Sequence, residues 1–256
     1  MQKNNFFFIF LILISNNLMA QNDVKIFDKK KVFTYEALFI EKSGDTLTKE
    51  TLVLKGNDKP WMFQKKTQTE LEIFYEPDSS ALVNFVYPLK AERNRISRNI
   101  VKSKKKKSWA NYTWLLKKET TGKIENDSIL WFHPPRSNQY VYTYLSAYPE
   151  VYIKELKIGG NWRSMVTIMK GYPNNEEFVG TVTNNFIVKG KVSDTVSGEM
   201  IEDCWLIEST DIHSKLGESK SVFIFDEEYY GFIRMEFEYY NGIKIIFRLK
   251  EVTINE

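Results

Sequence analysis

Ile233-Arg234-Met235-Glu236-Phe237-Glu238-Tyr239-Tyr240-Asn241-Gly242-Ile243-Lys244-Ile245-Ile246-Phe247-Arg248-Leu249-Lys250 alternates apolar and polar side chains on both sides of a central Asn-Gly. A period of two sends successive side chains to opposite faces, so the stretch reads as two β-strands and a turn. A two-residue type I′ loop at Asn241-Gly242 would pair Tyr239 with Lys244 and set apolar residues opposite polar ones along the whole ladder. A three-residue loop, Tyr240-Asn241-Gly242, instead pairs Tyr239 with Ile243, Phe237 with Ile245, Met235 with Phe247 and Ile233 with Leu249, and one face becomes apolar throughout. The sequence therefore predicts a type I turn with a G1 bulge and Gly242 at positive φ.

Upstream, Cys204-Trp205-Leu206-Ile207 and Val222-Phe223-Ile224-Phe225 are short apolar runs of the kind found in strands covered on both faces. With turns at Lys215-Leu216-Gly217 and Asp226-Glu227-Glu228 they complete a four-stranded antiparallel meander. Earlier strands are expected over Val32–Ile40, Thr46–Lys55, Trp61–Tyr75 and Ala81–Tyr87, with turns at Ser43-Gly44-Asp45 and Gly56-Asn57-Asp58. Further strands are expected around Tyr112–Lys118 and Lys123–Phe132, divided at Thr121-Gly122, then over Tyr140–Leu145, Val151–Ile158 and Trp162–Met169. Asn174-Asn175 and Asn184-Asn185 read as loops before a strand at Phe186–Val192. Phe, Trp and Tyr make up 15% of the chain, a bias that suits strands and two-sided sheets. The expected fold is mainly β: a large antiparallel curved sheet or half-barrel with a C-terminal meander and few short helices, one of them near residues 89–102.

The chain begins with Lys3 in a short polar start, nine consecutive apolar residues from Phe6 to Ile14, and Leu18-Met19-Ala20 before Gln21. That apolar run is too short for a membrane-spanning helix, which takes about 20 residues, and residues 1–20 read as a signal peptide. Residues 21–256 then form a single antiparallel β domain, with no long Gly/Ser or Pro linker to divide it. The expected location is outside the inner membrane, periplasmic or extracellular. No Cys follows the apolar run, so the chain is not expected to be a lipoprotein. The only Cys, Cys204, excludes an intrachain disulfide and reads as a buried small hydrophobe.

Residues 90–107 carry nine Lys or Arg residues against one acid, Glu92, while the rest of the mature chain is net acidic. Within this segment Lys104, Lys105, Lys106 and Lys107, followed by Trp109, Tyr112 and Trp114, combine positive charge with aromatic surface, a composition suited to anionic headgroups at a membrane surface. The alternative is a solvated connection whose aromatics pack in the next strand. Export disfavours nucleic acid as the partner. Trp131-Phe132-His133-Pro134-Pro135-Arg136 is the most unusual local sequence: two prolines stop the strand and stiffen the backbone, which makes His133 and Arg136 a candidate anion-binding pair. The competing reading is a rigid strand terminator bearing ordinary surface residues.

No Gly-x-Ser-x-Gly elbow, phosphate-cradling Gly loop, dinucleotide fingerprint or His-Glu-x-x-His occurs. With two histidines, His133 and His213, and one Cys, a zinc site or a nucleophile triad has no motif to stand on, and neither a metal nor an organic cofactor is expected. His213 lies beside a turn, where exposure is the default. A glycosidase carboxylate pair is invisible in sequence, and a carbohydrate-active hydrolase stands as a lesser alternative.

Ser221-Val222-Phe223-Ile224-Phe225, Tyr230-Gly231-Phe232-Ile233-Arg234-Met235 and Tyr240-Asn241-Gly242-Ile243-Lys244 resemble the closing hairpins of uncharacterised periplasmic proteins of Gram-negative bacteria, which are similar in turn to the half-barrel lipoprotein carriers LolA and LolB. The resemblance implies a curved sheet whose concave face holds an apolar ligand, and it carries no functional residue across. Together these readings describe a non-enzymatic exported binding or carrier protein for an apolar or amphiphilic, lipid-like ligand. The alternative is a structural or interaction protein of the cell envelope that docks a protein partner through a sheet edge or the basic segment.

Overall fold

The computed structural model describes residues 25–61, 68–77, 118–136, 138–170 and 176–255. The expected signal peptide, the expected helix near 89–102, the strand Ala81–Tyr87 and most of the strand Tyr112–Lys118 lie outside them. The described residues build one twelve-stranded antiparallel sheet. Its strands are β1 (Lys31–Ile40), β2 (Thr46–Pro60), β3 (Thr69–Pro77), β4 (Lys118–Glu125), β5 (Ile129–Phe132), β6 (Glu150–Tyr152), β7 (Asn161–Ile168), β8 (Gly180–Val196), β9 (Glu199–His213), β10 (Gly217–Asp226), β11 (Gly231–Glu238) and β12 (Lys244–Ile254). In space they run β6-β5-β4-β3-β2-β1-β12-β11-β10-β9-β8-β7. The first and last strands pair from Lys31↔Ile254 to Ile40↔Lys244, which joins two meanders into one sheet.

That sheet curls until its edges, β6 and β7, come close, so the half-barrel of the sequence reading is a nearly closed barrel. Tyr152 on β6 meets Trp162 on β7 at 6.0 Å between ring centroids. Residues 153–160 link the two edges, and Gly159 and Gly160 exchange backbone hydrogen bonds with Val188 of β8.

The C-terminal hairpin has the expected register. Phe237 pairs with Ile245 and Met235 with Phe247; Tyr239 N–H donates to the Ile243 carbonyl at 2.9 Å, and Gly242 has φ +82°. The expected pair Ile233↔Leu249 is absent from the ladder. A bulge between Ile224 and Phe225 in the β10–β11 pairing matches Ile224 to Arg234 and Phe225 to Phe232, so Phe232 takes the inward place and packs on Phe223, Phe225 and Phe132.

Two glycine turns are corrected. Gly56-Asn57-Asp58 lies inside β2: a Cβ on Gly56 would sit 2.7 Å from the Phe27 carbonyl oxygen, so the residue serves close approach. Thr121-Gly122 lies inside β4 for the same kind of reason, since a Cβ on Gly122 would stand 2.3 Å from the Trp61 ring. Asn184-Asn185 continues β8, with Asn184 buried and its amide donating to Ser164 Oγ at 3.3 Å.

The largest departure is Tyr140–Leu145, expected as a strand and found in a 3₁₀ helix, Asn138–Leu145. Its apolar run reflects burial on all sides, because the segment enters the barrel as a plug. Tyr140 stacks on Tyr75 of β3 at 5.8 Å, packs on Phe247 of β12 and donates to Glu50 Oε2 of β2 at 3.0 Å. Tyr142 packs on Phe39, Phe178 and Tyr239. Thr143 donates to the Pro135 and Tyr140 carbonyls and Ser146 to that of Thr143, which satisfies backbone acceptors that no ladder reaches. Val151–Ile158 keeps only β6 as strand and then turns through a short 3₁₀ helix, Ile153–Glu155.

Candidate functional site

His133 and Arg136 come together where β5 gives way to the plug. His133 is buried at 6% exposure, so it is not an ordinary surface residue of a strand terminator. Its backbone N–H donates to the Gly122 carbonyl and its carbonyl accepts from Thr121 Oγ1, so β4 fixes the main chain. The ring lies among Trp61, Trp131, Tyr144 and Tyr148, with Tyr148 nearest at 4.4 Å between centroids.

Hydrogen bonding decides the tautomer. Nδ1 faces the Pro134 carbonyl at 3.1 Å and therefore carries the proton. Nε2 then accepts from Arg136 Nη1 at 3.0 Å. Burial, with the Arg136 charge in second place, pushes the imidazole pKa down to about 3 against a weaker opposing effect of the Pro134 carbonyl. His133 is thus a neutral acceptor that orients a guanidinium.

Arg136, half-buried, also lies over the Trp61 ring at 6.0 Å, within cation–π range. Its backbone N–H donates to Glu119 Oε1, which accepts from the Tyr75 hydroxyl as well. The result is an oriented guanidinium beside a half-buried wall of Trp61 and Trp131, whose rings are 6.5 Å apart. Trp61 Nε1 and Gln68 Oε1 are buried there without a hydrogen-bond partner. Chemically the site offers positive charge next to indole surface. Lys104, Lys105, Lys106, Lys107, Trp109 and Trp114 lie outside the described residues.

A second polar cluster inside the barrel went unnoticed in the sequence. Asp211 of β9 is buried, accepts from Ser209 Oγ and Ser221 Oγ at 2.5 Å each, and is reached by the Ala147 backbone N–H of the plug. Burial pushes its carboxyl up to about 6 despite those three donors. The signal was present: Ser209, Asp211 and His213 continue the inward parity of Ile207, and Ser221, Ser219 and Gly217 stand directly opposite them on β10. His213 is buried, against the exposure expected beside a turn. Its Nδ1 accepts the Lys215 and Leu216 backbone N–H groups and its Nε2 faces the Phe178 carbonyl, so both nitrogens are occupied in closing a turn. Cys204 is free and buried in β9. Among the described residues no group of three or more His, Cys, Asp or Glu is arranged to hold a metal ion.

No protein-family model and no curated protein matches the sequence. Among solved structures the chain is similar to a Bacteroides fragilis protein named as exported and of YmcC-like fold, at 8% identity and TM-score 0.40 over 88% of this chain and 96% of that one. It is similar to a protein of Parabacteroides distasonis named as a lipoprotein, at 8% identity and TM-score 0.40 over 90% and 98%. It is also similar to the hypothetical lipoprotein YmcC of Escherichia coli, at 9% identity and TM-score 0.36 over 98% of both chains. These names describe exported proteins and lipoproteins. At such scores the likeness carries no argument about function.

Proposed function

We propose that the chain is an exported, non-enzymatic binding protein for an anionic amphiphile, held at the mouth formed by Arg136, Trp61 and Trp131. One observation carries the reading: neutral His133 holds the Arg136 guanidinium in place beside half-buried indoles. An oriented guanidinium suits a phosphate or carboxylate headgroup, and the indoles suit the apolar portion next to it. The chain between β3 and β4, which carries Lys104 to Lys107, departs two residues after Tyr75 and returns one before Glu119. The plug sets Tyr140 against Tyr75 and Tyr142 against Tyr239 inside the barrel, which favours an end site over an enclosed acyl cavity. Both histidines are engaged in structural hydrogen bonds, which favours binding over acid–base chemistry.

The test is flotation of the chain from Gln21 onward with phosphatidylglycerol and phosphatidylcholine vesicles. Selective binding to the anionic vesicles, reduced about tenfold in Arg136→Ala (about 1.4 kcal/mol), is expected. Equal binding to both vesicles, or no effect of the substitution, would remove Arg136 from the account.

A second reading, docking of a protein partner, has its own observation. Among the described strands β7 pairs only with β8, and on the outer side Met165 is 66% exposed with Ile187 and Ile212 exposed on the neighbouring strands. Thr167→Pro would block strand addition there without touching Arg136.

A further inference from the structure

The β8–β9 hairpin is longer than its neighbours and does not run straight. Its pairing slips between Val188 and Gly190 and again between Val192 and Asp194, and Asp203 opposite the second slip has φ +58°. Bulges bend and twist a strand pair, and here they turn the hairpin's end onto the outer face of β11 and β12. The tip is a two-residue turn, Ser197-Gly198, with both residues at positive φ. Ser197 Oγ donates to the Lys250 carbonyl at 2.7 Å, and Asp194 grips Arg234 through Nη2 at 2.6 Å and Nε at 2.8 Å.

Beneath this arm lies a groove of about 220 Å³, lined among others by Glu36, Asp194, Thr195, Arg234, Arg248 and Lys250. Arg234 and Arg248 stand directly opposite each other in the β11–β12 ladder, an unfavourable like-charge pair. The acids do not settle the balance. Asp194 is committed to Arg234 and to the Thr195 backbone N–H, Glu236 also pairs with Arg234 at 3.4 Å, and Glu36, opposite Arg248 in the β1–β12 ladder, is committed to Lys49 at 2.6 Å. The Glu36 carboxyl is lowered first by its hydrogen bond to Lys49, and more weakly through space by Lys250 and Arg248. Neither of those two cations closes an ion pair with another described residue, and both side chains are exposed.

We infer that this groove is a binding site for a small phosphoryl oxyanion, free or as a monoester, taken between Arg248 and Lys250 with Arg234 fixed behind them. Two cations two residues apart on one face of β12, with Arg234 opposite on β11, fit the spread oxygens of a tetrahedral anion, and the bent arm supplies a wall that an ordinary sheet face lacks. None of the lining residues belongs to the strands that build the Arg136 cluster, so the site stands independently of that reading.

The experiment is calorimetric titration of the chain from Gln21 onward with inorganic phosphate, a hexose phosphate and chloride at matched ionic strength. The structure predicts saturable binding of at least one phosphoryl compound, none of chloride, and an affinity loss of tenfold or more in both Arg248→Gln and Lys250→Gln. Preference for the hexose phosphate assigns an ester, and preference for phosphate the free ion. Arg136→Ala should leave this binding unchanged. Arg248 and Lys250 are exposed, so both substitutions leave the core untouched, and near-UV circular dichroism checks folding. Binding no stronger than chloride, or binding indifferent to both substitutions, overturns the inference.

Discussion

At the scale of single residues, Glu150 on β6 is a buried acid at the barrel seam. Burial pushes its carboxyl up to about 7, and the Trp162 indole across the seam only partly offsets this. Glu150 Oε1 and Trp162 Nε1 both lack a full hydrogen bond. A carboxyl raised on folding gives stability that is complete below its unfolded pKa, near 4.5, and is lost as pH rises through about 7. Glu150→Gln should therefore remove a dependence of about 1.4 kcal/mol per pH unit over that window. Urea denaturation of both proteins at pH 5.5 and pH 8 checks it, with the variant gaining on the wild type at the higher pH. His133 works in the opposite sense. Its pKa is pushed down to about 3, so the stability it contributes is present above its unfolded value near 6.5 and falls away on acidification. Neither shift was legible in the sequence, because both depend on what the fold packs around a group and not on its neighbours in the chain.

Between residue and element, Gly122 shows why turn signals misled. Gly in Thr121-Gly122 reads as a turn residue, yet it lies in mid-strand to admit the Trp61 ring. Gly122→Ala should cost about 1–3 kcal/mol through overpacking and should shift the near-UV signal as Trp61 moves; an unchanged spectrum would mean that Trp61 is not held there. The C-terminal hairpin, by contrast, was legible to its bulge, because alternation and loop length together leave one register. The plug was not. A segment buried all round looks like a two-sided strand in periodicity, and its contacts with Tyr75, Glu50 and Phe247 are far away in sequence. Tyr140→Phe, which strips the hydroxyl donated to buried Glu50, should destabilise by about 1–3 kcal/mol in urea titration.

At the scale of the molecule, the sheet closes through two different junctions. The β1–β12 junction is a ladder of ten paired positions, whereas β6 meets β7 through side chains such as Tyr152 and Trp162. Local opening follows the weaker junction. Amide hydrogen exchange should be fastest along β7 and slow along β1 and β10–β12; equal protection of β7 would mean that its free side is covered. Strand content and the closing meander followed from sequence pattern, but closure depends on accumulated curvature over twelve strands, which no local window records. The candidate site was half legible for the same reason. Pro134-Pro135 marked His133 and Arg136, while the Trp61 and Trp131 wall needed the fold to assemble it.

Native mass spectrometry of the chain from Gln21 onward, purified from a bacterial periplasm, with the bound material identified after denaturing extraction, decides whether an anionic amphiphile is held at Arg136 beside Trp61. A stoichiometric anionic amphiphile that is lost from Arg136→Ala is expected. A clean apoprotein that also fails to take up an anionic lipophilic probe would contradict it.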